Sequence, residues 1–189
     1  MDSDKFASRA GEKLRFALDE FKITPAGLIC ADFGSSTGGF VDCLLQDGAE
    51  KVYSVDTAYG ELAWNLRNNP KVVVIERTNA MHVKLPEKVD LLTIDVGWTK
   101  QERILPNAFK NLKANGEIIS LIKPHYESPK YLLRKGKLPD NKLDEVLALV
   151  SQKIEKIGGK ILNMVESPIL GEKGKNREFL TLVVRKEEV

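Results

Sequence analysis

The chain has 189 residues, of which 42% are hydrophobic and 30% charged, as in soluble globular proteins with enough length for a sizeable core. No apolar run approaches the ~20 residues of a membrane span, and the N-terminal stretch "MDSDKFASRAGEK" has no signal-peptide core. The net charge of +2 is too small by itself to argue for nucleic acid.

In chain order, "SRAGEKLRFALDEF" places apolar residues at 10, 14, 17, 18 and 21, which predicts a helix. Short apolar runs follow at "LICADF" (28–33), "KVYSVD" (51–56), "KVVVIE" (71–76), "VDLLTID" (89–95) and "EIISLIK" (117–123). Each fits a strand buried on both faces. Helix-like stretches separate them at "FVDCLLQDG", "GELAWNLRNN" and "RILPNAFKNLK". A further helix is predicted over "KLDEVLALVSQKIEKIGG" (142–159), which has an apolar stripe and a Gly-Gly stop. Strands are then expected in "KILNMVES" and "REFLTLVVRK". Their connection, "PILGEKGKN", is too short for a helical crossover, so they should pair antiparallel. The pattern predicts an α/β fold: a Rossmann-like class I methyltransferase sheet of about seven strands, mostly parallel, with an antiparallel last strand and helices on both faces. Residues 1–189 are expected to form one domain.

The first predicted strand runs into "ADFGSSTGGF" (31–40). In open parallel sheets ligands bind beyond the carboxyl ends of the strands, and Gly34, Gly38 and Gly39 allow a tight turn with close backbone approach. The turn is neither G-x-G-x-x-G nor a P-loop, since no Lys-Ser/Thr follows it. It suits an adenosyl ligand without phosphates, S-adenosyl-L-methionine, with Asp56 at the end of the second strand placed to accept both ribose hydroxyls. Ordinary turn residues in some other α/β protein are the competing reading. Lys123 ends a strand in which four of the five preceding residues are aliphatic, which argues against a solvated role. Segment 123–137 carries five Lys or Arg against one Glu, with two tyrosines and His125. It suits phosphates and a stacked base, or a solvated lid. Cys30 and Cys43 have no metal-ligand spacing and read as small core residues in a reducing compartment; no metal site is expected.

Together, "SRAGEKL", "DFGSSTGGFVDCLLQDGAEKVYSVD", "LRNNPKVVVIERTNA", "DLLTIDVGW", "ILPN", "LIKPHYE" and "SPILGEKGKNREFL" resemble the hemolysin-A-like (TlyA) group of FtsJ-type RNA 2'-O-ribose methyltransferases. The resemblance spans nearly the whole chain. It implies a Lys-Asp-Lys-Glu catalytic tetrad at Lys13, Asp95, Lys123 and Glu178. It implies cofactor contacts at Asp32, Gly34, Ser35, Ser36, Thr37, Gly38, Gly39 and Phe40, at Asp56 and Thr57, at Asn79 and Ala80, and at Asp95. A lysine near a second lysine and partly desolvated is expected to have a lowered pKa. Such a lysine would act as a base toward a ribose hydroxyl or steer it.

Two stretches depart from the family pattern, "DVGWTKQ" for Asp-Val-Ser-Phe and "KPHYE" for Lys-Pro-Gln-Phe-Glu. They leave the tetrad intact and alter the substrate wall. The family also carries an RNA-binding S4 domain before "SRAG"; only seven residues precede Ser8, so that domain is expected to be absent. The expected substrate is ribosomal RNA, in the cytoplasm, without membrane association. A partner protein, a homo-oligomer or a preformed ribosomal particle would complete RNA recognition. Another RNA or a small molecule as substrate stays open, as does a catalytically inactive cofactor-binding module.

Overall fold

The structure is a computed structural model, describing residues 5–171 and 175–186. Seven strands form one sheet in the order β3-β2-β1-β4-β5-β7-β6. They are β1 (Ile29–Phe33), β2 (Lys51–Val55), β3 (Val72–Ile75), β4 (Val89–Ile94), β5 (Leu112–Ile122), β6 (Gly159–Glu166) and β7 (Phe179–Arg185). The first five run parallel, and β7 pairs antiparallel with both β5 and β6. The expected mostly parallel sheet with its antiparallel last strand is what forms. Three residues of the connection that argued for it, 172–174, lie outside the described residues.

Side chains alternate across the sheet, and the core divides accordingly. Ala31, Phe33, Leu92, Ile94 and Ile118 meet α4 (Gln101–Asn111) and the helix Leu143–Lys156 on one face. Cys30, Val52, Leu91, Ile119 and Leu121 meet α1 (Ala10–Phe21) and α2 (Gly39–Gln46) on the other. Continuous aliphatic runs are therefore needed in the central strands, because both of their faces are covered. Cys30 and Cys43 are fully buried, and burial pushes both thiols up to about 12.

Two expectations are corrected. The run at 71–76 is not buried on both faces, because β3 is the sheet edge and Val73 is exposed. Of "GELAWNLRNN" only α3 (Trp64–Arg67) is helical; Gly60 adopts a positive φ of 78° and Ala63 is extended, so the chain turns until Trp64.

Candidate active site

β-Sheet register assembles the tetrad. Ile122 pairs with Phe179 across β5 and β7, so Lys123 and Glu178, one residue beyond that pair, leave the sheet together. Phe33 pairs with Ile94, which brings Gly34 beside Asp95 in the same way. The approach is close: a Cβ on Gly34, whose φ is +89°, would sit 2.5 Å from the Asp95 carbonyl oxygen.

Helix α1 delivers Lys13. Gly11 and Gly39 meet where α1 crosses α2, and a Cβ on Gly11 would come within 2.8 Å of the Gly39 carbonyl oxygen. With no side chain at this crossing, α1 lies close enough for Lys13 Nζ to donate to Glu178 Oε2 at 2.7 Å, 165 positions away. Lys13 is therefore buried, although a lysine on an amphipathic helix usually faces water. Lys123 Nζ donates to Asp95 Oδ1 at 2.6 Å.

The two ion pairs are neighbours within one electrostatic cluster. Burial by itself would lower the Lys123 pKa. Asp95 against the ammonium, with Glu178 and Tyr126 beyond it, outweighs burial and raises the pKa above the ordinary lysine value. This corrects the expectation of a lowered pKa: Lys123 has its own carboxylate, so attraction to and hydrogen bonding with Asp95 exceed the desolvation.

A cavity of about 530 Å³ joins these residues to the glycine turn. Its walls include Lys13, Asp95, Lys123 and Glu178, with Asp32, Gly34, Ser35, Ser36, Thr37, Gly39 and Phe40. A second cavity of about 390 Å³ shares Gly34, Ser36 and Asp95 with it and reaches Asp56, Thr57, Asn79 and Ala80. The two are lobes of one cleft at the carboxyl ends of β1–β4. Gly38 lines neither. Its φ is +98°, a Cβ there would meet the side chain of Leu62 at 2.7 Å, and it serves the turn into α2.

Two carboxylates define what the cleft can hold. Asp56 accepts N–H bonds from Ser36 at 2.7 Å and Ala58 at 2.8 Å, which fix its orientation at the cleft wall. Asp32 is almost completely buried. Its Oδ1 accepts from the Thr93 hydroxyl at 2.7 Å, and its Oδ2 has no hydrogen-bond partner among the described residues. Burial, against the hydrogen bond from Thr93 and the nearby Ser35 hydroxyl and with Asp95 and Asp56 adding repulsion, pushes its pKa up to about 7. An orphaned buried carboxylate oxygen calls for a cationic ligand group. S-adenosyl-L-methionine fits on each count: it brings an ammonium group, a ribose diol and no phosphate. Metal ligation has no comparable donor set, since no His/Cys/Asp/Glu group suited to a metal ion occurs among the described residues.

Sequence reasoning missed some of the wall. Ser8, Arg9 and Ala10 line the first lobe, and no spacing rule marks residues just ahead of a helix and in its first turn. Trp98, exposed at 79%, stacks on Tyr126 with ring centroids 4.5 Å apart. Its backbone is left-handed, with φ of 62°. The two aromatics fall at the departures "DVGW" and "KPHYE", and Tyr126 also lies in the basic segment 123–137; nothing in the sequence places them against each other.

A family model of FtsJ-like methyltransferases matches residues 6–183. The chain is 40% identical over 182 residues to hemolysin A of Brachyspira hyodysenteriae, covering 93% of this chain and 75% of that protein. It is 38% identical over 189 residues to the 16S/23S rRNA (cytidine-2'-O)-methyltransferase TlyA of Mycobacterium tuberculosis, covering 96% of this chain and 70% of that one. A solved structure named as a hemolysin, from Streptococcus thermophilus, superposes with a TM-score of 0.94 at 30% identity, over 99% of this chain and 70% of that one. With nearly its whole length matched and its sheet that of class I methyltransferases, the chain belongs to the FtsJ-like methyltransferase family.

Proposed function

We propose that this chain, as one methyltransferase domain over 1–189, transfers a methyl group from S-adenosyl-L-methionine to a ribose 2'-hydroxyl of ribosomal RNA. The observation that carries the reading is the cleft, in which the Lys123–Asp95 pair stands beside the Lys13–Glu178 pair at the mouth of the glycine turn. The named activity of the tuberculosis relative supports the RNA and the atom.

The cofactor supplies an electrophilic methyl group on a sulfonium. Asp32 and Asp56 would hold its ammonium and its ribose, with Ser35, Ser36, Thr37, Gly39 and Phe40 lining the turn, and Thr57, Asn79 and Ala80 the second lobe. Lys123 is an ammonium, so it acts on the substrate as a donor. By hydrogen-bonding one lone pair of the ribose oxygen it leaves the other aimed in line for attack. Asp95, 2.6 Å from that ammonium, is the carboxylate nearest to receive the hydroxyl proton. Lys13 and Glu178 keep the cluster balanced in charge around Lys123. Trp98 and Tyr126 form an apolar plate next to Asp95 and Lys123 on which a splayed base can stack.

The test is methylation of 16S and 23S rRNA, naked and in ribosomal subunits, with labelled cofactor, followed by mapping of the modified nucleotide. A single 2'-O-methylated ribose is expected. Cofactor binding without transfer to any RNA would sink the reading. Acting on ribosomal RNA, the protein would work in the cytoplasm; no described helix is long and apolar enough to cross a membrane. Efficient methylation of a short naked oligonucleotide would show that no further partner is needed for recognition.

A further inference from the structure

Behind the catalytic lysine lies a second hollow, of about 640 Å³, that the proposed chemistry does not use. It begins at Pro124 and His125, directly after Lys123, and includes Asn176 and Arg177, directly before Glu178. Its lining carries four cationic side chains and two carboxylates. Both carboxylates are already engaged by one cation. Arg177 grips Glu166 through Nε at 2.6 Å and Nη2 at 2.5 Å, and approaches Asp140 at 3.6 Å. Arg134, Lys137 and Lys175 have no ion-pair partner among the described residues, so the described lining keeps a positive excess.

The placement of Arg134 and Lys137 is unusual. They close a two-residue turn in which Lys135 and Gly136 both have positive φ, 50° and 79°. Each of the pair donates its N–H to the other's carbonyl, at 2.8 and 3.0 Å. Two like charges therefore stand directly opposite each other, an arrangement that costs stability in a hairpin. A turn selected only for folding would put opposite charges there. An anion between the two side chains reverses the sign of the interaction. His125, nine-tenths buried, lines the same wall, and its ring Nδ1 has no hydrogen-bond partner among the described residues.

We infer that this hollow is a phosphodiester subsite, holding the RNA backbone one or two nucleotides from the ribose that is methylated. The inference rests on the proposed RNA methylation and adds to it a position for the flanking strand. Because the hollow is joined to Lys123 and Glu178 through single peptide links, a phosphate held by Arg134 and Lys137 would fix the register of the reacting ribose.

The test uses a 23S rRNA transcript and the double variant Arg134→Gln/Lys137→Gln. A control double variant, Lys160→Gln/Lys186→Gln, makes the same charge change at the opposite end of β6 and β7, where both lysines are exposed. The site variant should bind the transcript about tenfold more weakly or worse, with the slope of log affinity against log salt reduced by about 1. Cofactor affinity should match the parent. An unchanged affinity and slope would overturn the subsite, as would an equal loss in the control or no salt-dependent binding by the parent. The underlying reading fails separately: if the parent binds with the expected salt dependence and the site variant loses affinity, yet no rRNA ribose is methylated, the hollow stands as an RNA phosphate contact, while the proposed reaction and the register assigned to it fall. If the parent methylates and the site variant keeps its RNA affinity and KM, the subsite falls alone.

Discussion

Lys123 was the residue whose strand context already argued for a role, and its neighbours define that role more narrowly. Held as an ammonium by Asp95, it would act in the proposed reaction as a donor, with no need to lose a proton. Lys123→Ala should therefore lower single-turnover methyl transfer by ~10²-fold or more while leaving cofactor affinity near the parent's. Lys123→Arg should keep a measurable fraction, since it retains a donor, though with poorer geometry. An arginine variant as inactive as the alanine one, with a parental rate rising as a group titrates above pH 8, would restore the lysine as base. Asp32 carries a second prediction. Its pKa lies near 3.8 unfolded and about 7 folded, so the folded state binds the extra proton between those values. The stability associated with this group is present below about pH 4 and is lost as pH rises through 7. Thermal melts of the cofactor-free protein should show this loss, and Asp32→Asn should flatten it. Cofactor affinity should rise over the same pH window in the parent, because the ammonium group needs the carboxylate. A parent and variant with the same pH dependence would remove Asp32 from both roles. Lys13 and Glu178 are the more buried pair, with side chains 11% and 5% exposed. Glu178→Ala should cost ~3–5 kcal/mol by leaving Lys13 buried and unpaired, measurable by denaturant unfolding.

At the scale of elements, the glycine contact between α1 and α2 sets how far Lys13 can reach. A methyl group at Gly11 would have to push the two helices apart, since the Gly39 carbonyl on α2 is backbone and cannot rotate away. Gly11→Ala should therefore cost ~1–3 kcal/mol and reduce turnover by lengthening the Lys13–Glu178 bond, with circular dichroism unchanged. Full activity would mean that α1 position does not matter to the cluster. Boundaries read from the sequence held best in the central strands, where unbroken aliphatic runs leave little choice. They failed at 60–63, where helix-like spacing met a glycine in a left-handed turn, and at β3, where a run of valines looks the same whether or not a neighbouring strand covers its outer edge. β5 also begins earlier than its aliphatic run, at Leu112, since Val89 on β4 pairs with Leu112 and backbone pairing extends past the apolar residues.

On the whole-molecule scale, cofactor binding should couple to stability. A ligand at 100 times its dissociation constant adds ~2.7 kcal/mol to a protein that binds it only when folded, so S-adenosyl-L-methionine should raise the melting temperature in proportion to the logarithm of its concentration. No shift at millimolar cofactor would mean that the folded chain does not bind it. The order of strands and helices, the glycine turn and the lysine at a strand end were written in the sequence by itself, because hydrophobic period and turn chemistry are local properties. So was the family, through short motifs in a fixed order. The pairing of Lys13 with Glu178 and of Lys123 with Asp95, the raised Lys123 and Asp32 pKa values, the Trp98–Tyr126 plate and the basic hollow behind Lys123 came only from tertiary structure. Each depends on strand register or helix crossing, and on which charges share one low-dielectric volume; those distances run through space between residues that the chain keeps far apart.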